Sequence, residues 1–285
     1  MRIIVILLLL ASLGANVAMA GFITVGVVTR ASFTDMMRKG AKFLKLPPIG
    51  RWQPNRDYQS VQPCDLKPSF VVLVIGQSNG ANAAFSYTKA QDPGARAFYD
   101  GACYGLSDPV IGGDGTRGSQ WPIFADLFKA RFERSVTVIS AGWGGSAITD
   151  WTDKGYDRFA LSQLRALREA GRTVDAVFWQ QGEQDFATDP ATYKAKFAVV
   201  TQRLRDAGVT APIFVARATL SGSFVNHPLR QAQAELAAQP GFVAGPDADS
   251  VTERFDKYHL TANGVVEMAK LWFDAVVACD CVAKD

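Results

Sequence analysis

The sequence predicts an α/β fold: a three-layer α/β/α sandwich around a parallel sheet of roughly five strands. Two observations carry this. Apolar runs of strand length, near residues 70–75, 136–141, 174–179, 213–218 and 242–244, alternate with stretches of helical spacing, and such alternation builds parallel sheets with helices on both faces. The runs also lack the every-second-residue polarity of a half-exposed strand, so each is expected to be buried on both sides.

The first twenty residues stand apart from that pattern. Met1-Arg2 gives a positive start, residues 3–10 are wholly apolar, and Ala18-Met19-Ala20 has the small-x-small form of a cleavage site. This predicts a secretory signal peptide cut after Ala20. The apolar run is about half the length a membrane span needs, and nothing later looks like a span. Removing it takes 285 residues to 265 and the formal charge from +3 to +2, because the segment holds Arg2 and no acid. That length suits one large domain, and that charge is too near neutral to argue for nucleic acid.

Export makes disulfides possible for Cys64, Cys103, Cys279 and Cys281. A bridge between Cys279 and Cys281 would need a strained ring, so one or both are expected to reach Cys64 or Cys103. With two histidines and no C-x-x-C there is no sequence case for a metal site. Residues 21–68 read as an N-terminal extension lying on the main domain at 69–285. It has a possible strand at 22–28, a possible basic helix at 34–44, and an irregular connector marked by Pro47, Pro48, Pro54 and Pro63.

The main domain opens on the strand at 70–75, which breaks at Gly76-Gln77-Ser78-Asn79-Gly80. Residues 81–90 have helical composition, and 91–118, rich in Gly, Asp and Pro, reads as a long loop of the kind that is often functional. Pro122 opens a helix to about 133. The second strand ends in Gly142-Trp143-Gly144-Gly145-Ser146, and a helix over 158–170 stops at Gly171. The third strand ends in Gln180-Gln181-Gly182-Glu183-Gln184-Asp185. Asp189-Pro190 caps a helix running to about 207. After the fourth strand come a helix over 228–238, the short strand at 242–244, a loop with Asp256 and His259, and a last helix over 261–278.

A parallel sheet gathers these strand ends at one rim, where ligands bind. Ser78, at a strand-to-turn junction, is the nucleophile candidate. A base that is neutral near pH 7 is needed, and histidine fits. His259 is preferred over His227 because Asp256, three residues earlier, can reach its ring and fix the tautomer. His227, beside Asn226 and Pro228, reads as part of a helix start. Candidate donors for a tetrahedral oxyanion are the N–H groups of Ser78 and Gly144 and the side-chain amide of Gln181. Glu183 and Asp185 read as groups that hydrogen-bond the site's loops. Gly76 to Gly80 also fits G-x-S-x-G, but the serine follows the first main strand, which argues against an α/β-hydrolase.

In order, Gly76-Gln77-Ser78-Asn79, Gly144-Gly145-Ser146-Ala147-Ile148 with Trp151, Gln181-Gly182-Glu183-Gln184-Asp185, and Asp256-x-x-His259-Leu260 with Gly264 resemble the SGNH hydrolases. Within them the sequence is similar to the sialate O-acetylesterase-like carbohydrate esterases, which include acetylxylan esterases of carbohydrate esterase family six. Arg230-Gln231-Ala232-Gln233 adds to the likeness, which spans about residues 69–273. The resemblance implies a flavodoxin-like sandwich and a Ser78–His259–Asp256 triad. It implies an oxyanion hole from Ser78, Gly144 and Gln181, with Glu183 the rival third donor because Q-G-E stands where the family name has asparagine. Gln77, Asn79, Trp151 and Glu183 fall at expected substrate-binding positions, and Tyr99, Tyr104, Trp121, Trp143 and Trp151 are candidates to flank a sugar ring.

The implied protein is a secreted or periplasmic serine esterase. It removes O-acetyl groups from a small or polymeric carbohydrate through an acetyl-enzyme, with no metal or cofactor. It has no nucleic-acid partner, and no membrane association after signal cleavage. Two alternatives remain: an esterase for a lipid, peptidoglycan or aryl ester, and a non-catalytic carbohydrate-binding relative.

Overall fold

The computed structural model describes residues 61–279 and 281. The expected signal peptide and residues 21–60 of the expected extension lie outside the described residues.

The centre of the sheet is strand β2 (Phe70–Gly76), whose seven residues are all buried. β5 (Val136–Ser140) pairs with it on one side and β6 (Ala176–Gln180) on the other, both in parallel. β7 (Ile213–Arg217) and β8 (Phe242–Asp247) continue the parallel sheet beyond β6. These five strands stand in space as second, first, third, fourth, fifth, the flavodoxin-like order. Residues on β2 alternate between two cores. Phe70, Val72 and Val74 pack with helices α1 (Trp121–Phe132) and α6 (Ala262–Cys279). Val71, Leu73 and Ile75 pack with α2 (Ile148–Asp153), α3 (Asp157–Glu169), α4 (Pro190–Asp206) and α5 (His227–Ala237) on the opposite face. That is the three-layer sandwich, and the uninterrupted apolar runs are its cause: a strand covered on both sides cannot alternate. No helix of the described residues is long and apolar enough to cross a membrane.

Asp189 caps α4 as its sequence suggests, its carboxylate accepting from Thr192 N–H at 2.9 Å. Three expectations are corrected. Residues 91–118 are not one long loop. They hold a hairpin of β3 (Arg96–Tyr99) and β4 (Ala102–Gly105), with β3 parallel to β5 and β4 antiparallel to β3. Its turn is Asp100-Gly101, both with positive φ (47° and 80°), the two-residue turn whose twist suits a hairpin.

Residues 81–90 are not helical beyond the single 3-10 turn Ser78–Gly80. Asn82 is drawn off by the loop facing it. Its side chain accepts from Val110 N–H at 2.8 Å and donates to the carbonyls of Val110 and Gly113 at 2.9 and 3.0 Å. Ala84 bridges to Gly118 and Lys89 to Ser107, so this backbone satisfies itself across a chain crossing rather than along its own axis.

The cysteines pair as Cys64–Cys103 and Cys279–Cys281, each with Cα atoms 5.1 Å apart, so neither C-terminal cysteine reaches Cys64 or Cys103. The reason is register. The two-residue strand β1 (Val61–Gln62) lies antiparallel to β4 with Gln62 opposite Cys103, which leaves Cys64 beside it. At the end of α6, a 5.1 Å separation is within the span a disulfide needs.

Candidate active site

Ser78 stands at the switch point of the sheet, where the chain leaves β2 for β5 on one side and later returns to β6 on the other. The crevice at such a point opens at the carboxyl ends of the strands. Both neighbours hold the Ser78 turn in place: Gln77 N–H donates to Gln180 O at 3.0 Å, and the Gly76 carbonyl accepts from Trp143 N–H at 2.7 Å. Gly76 has φ +145°, and a Cβ there would run into the Gln180 backbone. Only glycine allows β2 and β6 to close up so tightly beside the site. Ser78 itself is half-buried, between a buried Gln77 and a buried Asn79. As first residue of the 3-10 turn its N–H has no partner within that turn.

The residues flanking Ser78 turn inward and tie the strand ends together. Gln77 Oε1 accepts from the backbone N–H of Gly182 (3.2 Å) and Gln184 (3.1 Å). Asn79 Nδ2 donates to Glu183 Oε1 and to the Tyr258 carbonyl, both at 3.0 Å. Gln181 Nε2 donates to Ser146 O at 2.9 Å and to the Asp185 carboxylate. Asp185 in turn accepts from Ile148 N–H at 2.9 Å and from Thr188 Oγ1 at 2.7 Å, joining the loop after β6 to the start of α2.

Several expected site residues are placed as follows. Gln181 is wholly buried, and its amide hydrogens bond Ser146 and Asp185. Gln77 and Asn79 are buried, and their side chains brace the neighbouring strand ends. Trp151 is 0% exposed, packs its ring on Trp179 and donates from Nε1 to Ser146 Oγ at 3.0 Å, which orders the block around Ser146. Tyr99, Tyr104 and Trp121 are likewise buried, and Trp143 packs against Tyr156 with centroids 4.5 Å apart.

Asp256 and His259 are brought together as expected. Asp256 Oδ2 lies 2.6 Å from His259 Nδ1, while Oδ1 accepts from the N–H groups of Tyr258 (2.9 Å) and His259 (2.7 Å). Lys257, at φ +73°, makes the turn between them. Burial alone would raise the Asp256 carboxyl, but the bonds from the His259 ring and the two backbone N–H groups hold it below the usual carboxylate range. Among the described residues no hydrogen bond joins Ser78 to His259. The link is one residue removed, through Asn79 and the Tyr258 carbonyl. His227 begins α5, where the Asn226 side chain caps the helix by accepting from Leu229 N–H at 3.0 Å.

Asp114, which the sequence reading passed over, occupies the second expected donor. Its Oδ2 accepts from Gly144 N–H at 2.9 Å, and it is 8% exposed. A Cβ built at Gly144 would come within 3.9 Å of Ser78 Cβ, so this carboxylate sits beside the serine turn. The signal available was its setting, Gly112-Gly113-Asp114-Gly115, inside the stretch taken for a functional loop.

Glu183, like Asp114 and Asp185, is a buried carboxyl of the site. Burial pushes its carboxyl up to about 7, against the lowering effects of the Arg254 charge and the Asn79 amide. Its Oε2 is buried with no partner among the described residues, an arrangement that suits a neutral acid. The unfolded value is near 4.5, so between roughly that pH and 7 the folded chain keeps a proton the unfolded chain has lost. The stability from this group is full below the unfolded value and is lost as pH rises through 7. We expect denaturant unfolding at pH 5 and pH 8 to show the wild type losing about 3 kcal/mol that Glu183→Gln does not lose.

A family model for carbohydrate esterases of the sialic acid-specific acetylesterase type matches residues 118–278, more than half of the chain. The matched stretch contains Gly144, Gln181, Asp256 and His259 but starts beyond Ser78. Among solved structures, a protein from Arabidopsis thaliana superposes with TM-score 0.63 at 20% identity, covering 74% of this chain and 98% of that one. The protein NanS superposes with TM-score 0.54 at 16% identity, covering 74% of this chain and 97% of that one. At these identities the two likenesses speak for the fold. No curated protein matches the sequence.

Proposed function

The chain belongs to the sialic acid-specific acetylesterase family of carbohydrate esterases and is a carboxylic ester hydrolase; from that premise we propose that it removes O-acetyl groups from carbohydrate with Ser78 as nucleophile, His259 as base and Asp256 as orienter. The observation that carries this is the Asp256–His259 pair, tied through Asn79 to the turn that bears Ser78. With Nδ1 donating to Asp256, His259 keeps Nε2 unprotonated and able to accept the Ser78 proton. The Oγ–Nε2 hydrogen bond forms when substrate is bound, since such contacts tighten in the Michaelis complex.

Ser78 Oγ then attacks the acetyl carbon, the sugar oxygen leaves with the proton from His259, and water activated by the same ring releases acetate from the acetyl-enzyme. The developing oxyanion takes hydrogen bonds from the N–H groups of Ser78 and Gly144. The Gly144 donor is held by Asp114 in the free enzyme, so the acyl oxygen must displace a carboxylate. Asp114→Asn can keep the turn through its amide oxygen while trading a charged acceptor for a neutral one. The difference of about 1 kcal/mol predicts a kcat/KM for p-nitrophenyl acetate higher by roughly fivefold.

Acetate release from a panel of O-acetylated glycans, combined with mass-spectrometric detection of an acetyl group on Ser78 after rapid quenching, tests the reading. An acetyl group trapped on another residue would overturn it. We further propose export after cleavage at Ala20, for which a mature N-terminus at Gly21 is the check.

A further inference from the structure

Six aromatic side chains of the described residues are markedly exposed; two of them flank one imidazole and a third packs on one of that pair. Phe85 is 59% exposed, Phe255 38% and Tyr258 49%. The Phe255 ring centroid lies 6.1 Å from that of His259, and that of Tyr258 lies 6.5 Å away on the same ring. Phe85 extends the group outward, 5.4 Å from Phe255, and the exposed Arg117 sets its guanidinium 5.2 Å above the Phe255 ring. Single exposed aromatics need no explanation, but a contiguous cluster bordering a site does.

The rim is not a floppy fringe. Phe85 N–H donates to the Leu260 carbonyl at 2.9 Å, and Ala84 and Gly118 exchange backbone hydrogen bonds at 2.9 and 3.0 Å. Arg254 Nη1 bonds the Tyr258 carbonyl at 2.6 Å. Three chain segments thus have their main chain tied down beside the candidate catalytic pair. A pyranose ring presents an apolar face of C–H groups with hydroxyls at its edge. It matches an aromatic surface bordered by guanidinium donors better than it matches water.

We propose that Phe85, Phe255, Tyr258 and Arg117 form a subsite for a sugar ring next to the acetylated one, and that the substrate is an O-acetylated oligo- or polysaccharide rather than a free monosaccharide. This rests on the esterase reading above. The acetyl group belongs between Ser78 and His259, so rings that flank the His259 imidazole and are open to solvent meet what lies beyond the acetylated sugar. An acyl-chain site is the rival, and it would call for an enclosed apolar groove instead of an open face carrying Arg117.

The test compares kcat/KM of the intact enzyme on an acetylated oligosaccharide, the corresponding acetylated monosaccharide and p-nitrophenyl octanoate. Phe85→Ala is the informative variant because Phe85 packs at a tilt against Phe255 and not on the catalytic ring, and Phe85→Tyr keeps the aromatic face. Phe85→Ala should lower the oligosaccharide-to-monosaccharide ratio of kcat/KM roughly tenfold, and Phe85→Tyr should restore it. A ratio unchanged by Phe85→Ala, or a fall confined to the octanoate ester, overturns the subsite while leaving Ser78-dependent acetate release intact. Loss of the underlying reading has a different signature: no Ser78-dependent turnover of any of the three substrates.

Discussion

Ser78→Ala should release acetate roughly 10⁵- to 10⁶-fold more slowly than the wild type, the scale seen when the nucleophile of a comparable triad is removed. The protein should nevertheless melt at the same temperature. The hydrogen bonds that shape this turn come from Gln77, Asn79 and the backbone, and none depends on the Ser78 hydroxyl. Removing one oxygen from a half-buried side chain leaves no sizeable cavity. Acetate release measured beside a thermal melt separates the two effects. Residual activity above about a hundredth of wild type, at an unchanged melting temperature, would transfer the nucleophile role to another group.

Asp256→Asn is expected to cost about 10⁴ in kcat, for a reason visible in how each oxygen is used. Oδ1 satisfies two backbone N–H groups and shapes the loop, whereas Oδ2 receives the imidazole. An asparagine can keep its carbonyl on the backbone pair and so preserve the loop. Its NH₂ then faces Nδ1 and forces that nitrogen to accept, which moves the ring proton to Nε2 and removes the base. Asp256→Ala loses the loop contacts as well. We therefore expect Asn to fold better than Ala while being similarly inactive, as judged by unfolding midpoints beside kcat. Near-wild-type kcat for the asparagine variant would show that the imidazole is oriented by something else.

The parallel core was legible because burial on both faces leaves an unmistakable mark: residues 70–75 hold no polar group at all. The hairpin of β3 and β4 was hidden by composition. Its Asp-Gly turn was in plain view, but the glycines and prolines on either side drowned a four-residue strand signal. Residues 81–90 misled for the opposite reason, since helix propensity is weak and Asn82 found better partners across the loop. In the site, the residue types with one chemical use, Asp256 and His259, stand together as expected.

The amides were harder. Gln77, Asn79 and Gln181 sit beside the expected rim, yet an amide side chain serves as well facing in as out. The deciding factor is which backbone N–H and C=O groups need partners, and that depends on the folded crossing of three loops. Asp114 escaped notice because its acceptor role requires Gly144, thirty residues on, to lie alongside.

The link between Cys64 and Cys103 has a bearing on how the protein must be made. Among the described residues, the two-residue strand β1 is the one that pairs with the outer side of β4, and so short a strand draws much of its hold from the covalent bond. Kept reduced, as in a cytosol rich in glutathione, β1 loses that tether and its pairing along the edge of β4 weakens. Such an edge recruits strands from other molecules, so reducing expression should give aggregates where oxidising expression gives dispersed protein.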